Sequence, residues 1–141
     1  MKIELTGVKE FKRKLDSYKR SITRELERDT DRALINIQTG AKRRVVVDTA
    51  RLRSAIHYRR DGTSGEVSVY YSVHYAPYIE FGTGTLVSVP DELKEIAEEF
   101  RGKGQRQVNL PARPFLYPAF LEERSKYINR MRKTLGRLRT V

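Results

Sequence analysis

The sequence predicts an α+β fold, in which a long N-terminal amphipathic helix and a C-terminal helix pack on a small antiparallel sheet. Three observations lead there. Apolar residues recur at helical steps from Val8 to Ala41. Two alternating runs flank a cluster of turn residues at Asp61–Gly65. A second helical stripe starts near Pro118. A chain of 141 residues with 38% apolar content fits one domain with one modest core, spanning 1–141 without an internal repeat.

The elements follow in order. Lys2–Leu5 alternates as a short edge strand would, and Thr6 is a candidate N-cap. Val8, Phe11, Leu15, Tyr18, Ile22, Leu26, Ala33, Leu34, Ile37 and Ala41 then form the stripe of a helix from 8 to about 44. Such a helix extends roughly 54 Å, more than a domain of this size needs, so part of it is expected to pack on another chain. Gly40 is its weak point, at a cost of about 1 kcal/mol relative to alanine. Asp48 or Thr49 can cap a further short turn through Ile56. Ile56 and Tyr58 open a hairpin whose return strand runs from Glu66 towards Val73. On that strand Val67, Val69, Tyr71 and Val73 share one face.

Tyr75-Ala76-Pro77-Tyr78-Ile79-Glu80-Phe81-Gly82-Thr83-Gly84 is the densest apolar stretch of a highly charged chain. Pro77 suits the start of a short helical turn that places Tyr78 and Phe81 on one face, and Gly82 suits its stop. Tyr78 and Phe81 are therefore expected in the core. Beyond a short strand expected at Leu86–Val89, Pro90-Asp91-Glu92 opens a helix with stripe Leu93, Ile96, Ala97 and Phe100, ended by Gly102. Lys103–Gln107 is a polar loop, expected to matter in assembly rather than folding. Prolines at 111, 114 and 118 forbid one regular helix there, and Pro118 can be the first residue of the last helix. That helix has the stripe Leu121, Arg124, Ile128, Met131 and Leu135, with Phe120 and Tyr127 alongside. The tail from Gly136 is expected to fray.

Composition narrows the chemistry. With no cysteine there is neither disulfide nor thiolate site. No apolar run reaches the length of a membrane span, and Met1–Leu5 lacks a signal-peptide core, so a soluble intracellular protein without membrane contact is the default. His57 and His74 fall one on each strand, no spacing matches a metal motif, and no cofactor site is evident. Gly82-Thr83-Gly84-Thr85 lacks the continuation of a phosphate loop. Glu98 and Glu99 diverge by about 100° on a helix and make no acid–base pair. An enzyme is not expected.

The formal charge of +11 is segregated. Residues 1–60 carry 17 Lys/Arg against 8 Asp/Glu, residues 61–100 carry 1 against 8, and residues 101–141 carry 11 against 2. A basic–acidic–basic chain can neutralise itself between copies or offer a positive face to nucleic acid. On the first reading Glu92, Glu95 and Glu99 face the Arg/Lys-rich helix of a neighbouring subunit. On the alternative, the protein binds nucleic acid without sequence preference.

Three segments carry a resemblance. Asp48-Thr49-Ala50-Arg51-Leu52-Arg53-Ser54-Ala55-Ile56 resembles an Asp-Thr-Gly-x-Leu-x-x-Ser-Ile element, with Ala50 where glycine is usual. Tyr75 to Thr83 resembles a Tyr-Ala-x-Tyr-Val/Ile-Glu-Phe-Gly-Thr element, and Ala112 to Ala119 a Pro-x-Arg-Pro-Phe-Leu-x-Pro-Ala element. In order and spacing they are similar to the tail-completion or head–tail joining proteins of tailed bacteriophages, also called neck, tail-component or minor tail proteins. No family pattern is recognisable at 86–109, which reads as a variable insertion. The resemblance implies a non-enzymatic structural virion protein, made in the host cytoplasm, that assembles as a homo-oligomeric ring at the head–tail junction. Its implied partners are head-connector and tail-terminator or tail-tube proteins, with non-specific DNA contact in the channel. The motif residues it singles out, for core or interface, are Tyr75, Pro77, Tyr78, Glu80, Phe81, Gly82, Arg113, Pro114, Phe115 and Pro118.

Overall fold

The computed structural model describes residues 7–46, 50–84, 89–98 and 109–137. The edge strand at 2–5, the caps at Thr6, Asp48 and Thr49, residues 86–88, Glu99, Phe100, Gly102, the 103–107 loop and the end beyond Arg137 lie outside the described residues. Helix α1 runs over Val8–Arg44, the limits its periodicity predicts. Gly7 precedes it at φ 106, and Lys42, Arg43 and Arg44 place positive charge at the negative end of its dipole. Val45 then turns extended and is buried, so the β-branched residue that stops the helix also drops into the core.

A short helix α2 (Ala50–Ala55) buries Leu52 and Ala55 and leads into strand β1 (Ile56–Asp61). Ala50 is helical, so alanine in place of glycine costs nothing there, and no described non-glycine residue has positive φ. Strand β2 (Ser64–Val69) pairs antiparallel with β1, from Ile56↔Val69 to Asp61↔Ser64. The connection is thus the two residues Gly62 and Thr63, tighter than the five-residue cluster at 61–65. Gly62 takes positive φ (57), and the Thr30 hydroxyl of α1 donates to the Thr63 carbonyl at 3.1 Å. Gly65 marks a close approach rather than a turn. A Cβ there would lie 2.3 Å from Leu34 Cδ1 and 2.7 Å from the Arg59 carbonyl.

The return strand is shorter than its alternation suggests. Its partner begins at Ile56, where α2 ends, so beyond Val69 there is no extended chain to pair with. Tyr70 N–H still reaches the Ala55 carbonyl (3.0 Å), and the chain then turns. Val67, Val69 and Val73 do face the core, but Tyr71 is 92% exposed because the turn breaks the period of two. His74 accordingly lies outside the hairpin and meets Tyr71 edge-on, while His57 stacks on Tyr70 with centroids 3.9 Å apart.

Helix α3 (Ala76–Phe81) follows, then a 3-10 turn at Asp91–Leu93 that runs into α4 (Lys94–Glu98), and finally α5 (Leu116–Gly136). Val89 is not in a strand. Both α5 and the hairpin pack on α1, which makes α1 the spine of the molecule. Ile37, Ala41, Val45, Leu52, Ile56, Val73, Ala76, Phe115 and Ala119 form the core where these elements meet.

Helix α5 corrects the expected stripe. Leu121, Arg124, Ile128 and Leu135 are exposed, as is Phe120. The face turned to α1 instead carries Ala119, Glu123, Tyr127, Arg130 and Thr134, and much of the seam is polar. Asn36 donates to Glu123 at 3.2 Å, Arg130 to Glu123 at 2.6 Å, and Thr30 shares a hydrogen bond with the Tyr127 hydroxyl at 3.0 Å. Arg130 also pairs with Asp29, Arg44 with Glu122, and Arg137 with Glu25. This last pair holds the end of α5, where fraying was expected from Gly136. Gly40 lies across from Ala119, and a Cβ on it would be 3.2 Å from the Ala119 Cβ. Its absence of side chain lets the two helices approach, which accounts for a residue that weakens α1 locally.

Phe115, 2% exposed, fills the core, whereas Phe81 is only half-buried. Phe115→Ala should lower stability by about 3–5 kcal/mol in urea denaturation, and Phe81→Ala by clearly less. Equal losses would return Phe81 to the core.

Candidate functional site

Helix α3 and the segment leading into α5 bring the motif residues together. Tyr75 is half-buried against the core and its carbonyl accepts from Ile79 N–H at 3.2 Å, while Pro77 sits in the first turn of α3, where no intrahelical donor is needed. Gly82 ends the helix at φ 77, a value that a side chain strongly disfavours, with its N–H on the Tyr78 carbonyl at 3.0 Å. The loop after it is not an anion cradle. Thr83 N–H donates to the Leu110 carbonyl, Leu110 N–H donates to Thr83 Oγ1, each at 3.0 Å, and Gly84 packs against Asn109. Arg113 N–H then reaches the Ile79 carbonyl at 2.8 Å, so residues 109–115 run as a strap alongside α3.

The residue of α3 that the core encloses is Glu80, only 7% exposed. Its Oε2 accepts from the N–H groups of Phe115 (2.8 Å) and Leu116 (2.9 Å), and its Oε1 accepts from Tyr117 N–H (2.8 Å). A helix begins with four N–H groups that its own carbonyls cannot reach. Here three of them meet one carboxylate, and the fourth position is Pro118, which has no N–H. Every orphan donor at the start of α5 is thereby accounted for, and the negative charge sits at the positive end of the helix dipole. Pro118 is thus the third residue of α5 and not its first.

The expected placement of Tyr78 and Phe81 in the core does not hold. Tyr78 is 40% exposed and Phe81 half-buried, because the six-residue helix turns its Ala76–Glu80 side inward. With Tyr70, Tyr71, Val73, Pro77 and Ile96 they line an apolar groove of about 540 Å³. Arg113 and Pro114 are exposed on the strap. Glu92 and Glu95 are exposed on the 3-10 turn and α4, whose Ala97 is buried while Ile96 borders the groove. The Tyr117 hydroxyl donates to Glu92 Oε2 at 3.2 Å. Desolvation first, and then that hydrogen bond and charge, raise the Tyr117 phenol above its ordinary value. A carboxylate with no charged partner in sequence, as Glu80 is, gave no hint that it would be a cap.

Among the described residues no group of His, Asp or Glu could hold a metal ion, and no helix is long and apolar enough to cross a membrane. What the surface does offer is apolar. In addition to the groove, Val8, Phe11 and Leu15 are exposed on the first turns of α1, and Leu121, Ile128 and Leu135 on the outer side of α5.

A family model described as "Bacteriophage HK97-gp10, putative tail-component" matches residues 9–82, and the chain belongs to that family. As a phage tail component it is a protein of the virion. The match takes in α1, the hairpin and α3 and stops at Gly82, short of the strap and α5. No curated protein and no solved structure matches the chain.

Removing the Glu80 carboxylate leaves three backbone donors without acceptors. Glu80→Ala should therefore cost about 2–4 kcal/mol in chemical denaturation, and Glu80→Gln, which keeps one acceptor oxygen, should lie between it and the parent. An alanine variant within about 0.5 kcal/mol of the parent would mean that water replaces the carboxylate without loss.

Proposed function

We propose that this tail component acts without catalysis, as a subunit that assembles into a ring at the head–tail junction and completes the tail or neck. The observation that carries the reading is the helix that outruns its body. Helix α1 has 37 residues, and among the described residues its contact with the C-terminal end reaches as far as Tyr18, whose hydroxyl donates to the Arg137 carbonyl at 3.1 Å. The turns before it still carry Val8, Phe11 and Leu15 on a helical stripe, exposed. An amphipathic face of that kind is stabilised when another chain covers it.

Head-to-tail contacts between identical subunits close into rings when the rotation allows. The segregated charge suits such a contact, because the acidic 61–100 segment of one copy can oppose a basic segment of the next. Glu92, Glu95 and, outside the described residues, Glu99 are the acidic candidates. The remaining excess of positive charge would face DNA in the channel, and the two ends of the ring would meet the head connector and the tail tube or terminator. The whole chain, 1–141, acts as one domain in this reading, with 86–109 as a variable insertion.

Light scattering and electron microscopy of the purified protein test the proposal. A discrete ring is the expected result, sensitive to the charge reversals Glu92→Lys and Glu95→Lys at low salt. A protein that stays monomeric and binds DNA with a steep salt dependence would support the nucleic-acid-binding alternative that its charge of +11 allows.

A further inference from the structure

We infer that the first turns of α1 dock in the aromatic groove beside α3 of a neighbouring copy, so that each subunit is both arm and socket. The inference rests on the ring reading and names the contact that would build it. The groove is lined by Tyr70, Tyr71, Val73, Pro77, Tyr78 and Ile96, with a volume of about 540 Å³, and it opens to solvent through the 92% exposed Tyr71. Val8, Phe11 and Leu15 stand at i, i+3 and i+7, the spacing with which an amphipathic helix anchors in an apolar groove, and Phe11 is 68% exposed.

A subunit cannot fill its own groove. The floor of the groove, Val73 and Ala76, belongs to the cluster that holds Ile37 and Ala41 of α1. Phe11 is separated from Ile37 by about 40 Å of straight helix. An α1 arm that docks there must therefore come from a second chain.

Charge chooses among the apolar faces that a second chain offers. Residues 8–20 carry six Lys/Arg and two Asp/Glu, so the arm is basic. The outer stripe of α5 is also apolar, but Arg124 and Arg132 stand four residues either side of Ile128, and a basic arm would be repelled there. The groove has the acidic α4 segment at its edge, through Ile96. Ile96 lies within residues 89–98, which hold Asp91, Glu92, Glu95 and Glu98 against the single Lys94, itself paired with Asp91. The nearby Arg51 guanidinium donates to the Ser72 carbonyl at 3.2 Å, and His74 rests edge-on against Tyr71. Apolar burial would hold the arm, and Lys12 and Lys19 would meet the acidic rim.

The absence of cysteine makes the test direct. The full-length double variant Phe11→Cys/Tyr71→Cys, treated with a short thiol-to-thiol cross-linker, should give a ladder of multimers ending at the ring, whereas either single variant should stop at dimers. Phe11→Asp should abolish assembly in light scattering while the thermal transition stays at the parent value, since the side chain is exposed in the protomer. Rings that form without a ladder, or a Phe11→Asp protein that assembles as the parent does, would place the arm elsewhere and leave the ring reading standing. A parent protein that is monomeric at every concentration would overturn both.

Discussion

The fold turns on one carboxylate. Glu80 joins a six-residue helix in the middle of the chain to the first turn of the C-terminal helix by three short hydrogen bonds, all to backbone. Backbone partners tie the contact to geometry rather than to the identity of the side chains at 115–117. They also fix where α5 begins, and therefore which of its faces meets α1. With Phe115 buried one residue before the helix and Ala119 against Gly40, the direction and depth of α5 are set within one turn. The strap at 109–115 adds main-chain bonds to Ile79 and Thr83, so α3 and the start of α5 form one piece although they are separated by more than thirty residues.

Helix α1 is the second constraint. It supplies a packing surface to the hairpin at Thr30 and Leu34 and to the core at Ile37 and Ala41. Its seam with α5 is held largely by polar groups. A row of apolar pairs tolerates sliding by a turn, whereas Asn36–Glu123, Asp29–Arg130–Glu123 and Glu25–Arg137 match at one register only. Such networks contribute little net stability for the groups they order, but they exclude alternatives.

Long-period features were legible in the sequence. The limits of α1, the hairpin and the α3 turn with its proline and glycine follow from local pattern, whereas the family was suggested by the resemblance of three segments taken together. Errors arose where tertiary contact decided. Leu121, Ile128 and Leu135 form a convincing stripe, yet the buried side of α5 is the one bearing Glu123 and Arg130, because paired charges can be enclosed against a helix that complements them. Tyr71 kept the alternation of β2 on paper, but the strand lost its partner at Val69. Glu80 looked like one acid among many, since nothing in periodicity distinguishes a carboxylate that solvates a distant helix end. Aromatic residues at 78 and 81 suggested core by hydrophobicity alone, whereas a single turn of helix has only one inward side.

The closed start of α5 has a bearing on how the protein can meet a polyanion. Free helix N-termini are ready-made seats for phosphate, with fixed N–H groups aimed at the anion. On α5 that seat is permanently taken by an internal carboxylate and a proline. A nucleic acid running past α5 would therefore meet exposed lysine and arginine side chains rather than a free helix start, and long cationic side chains attract without fixing a position. Attraction of that sort lets a strand slide.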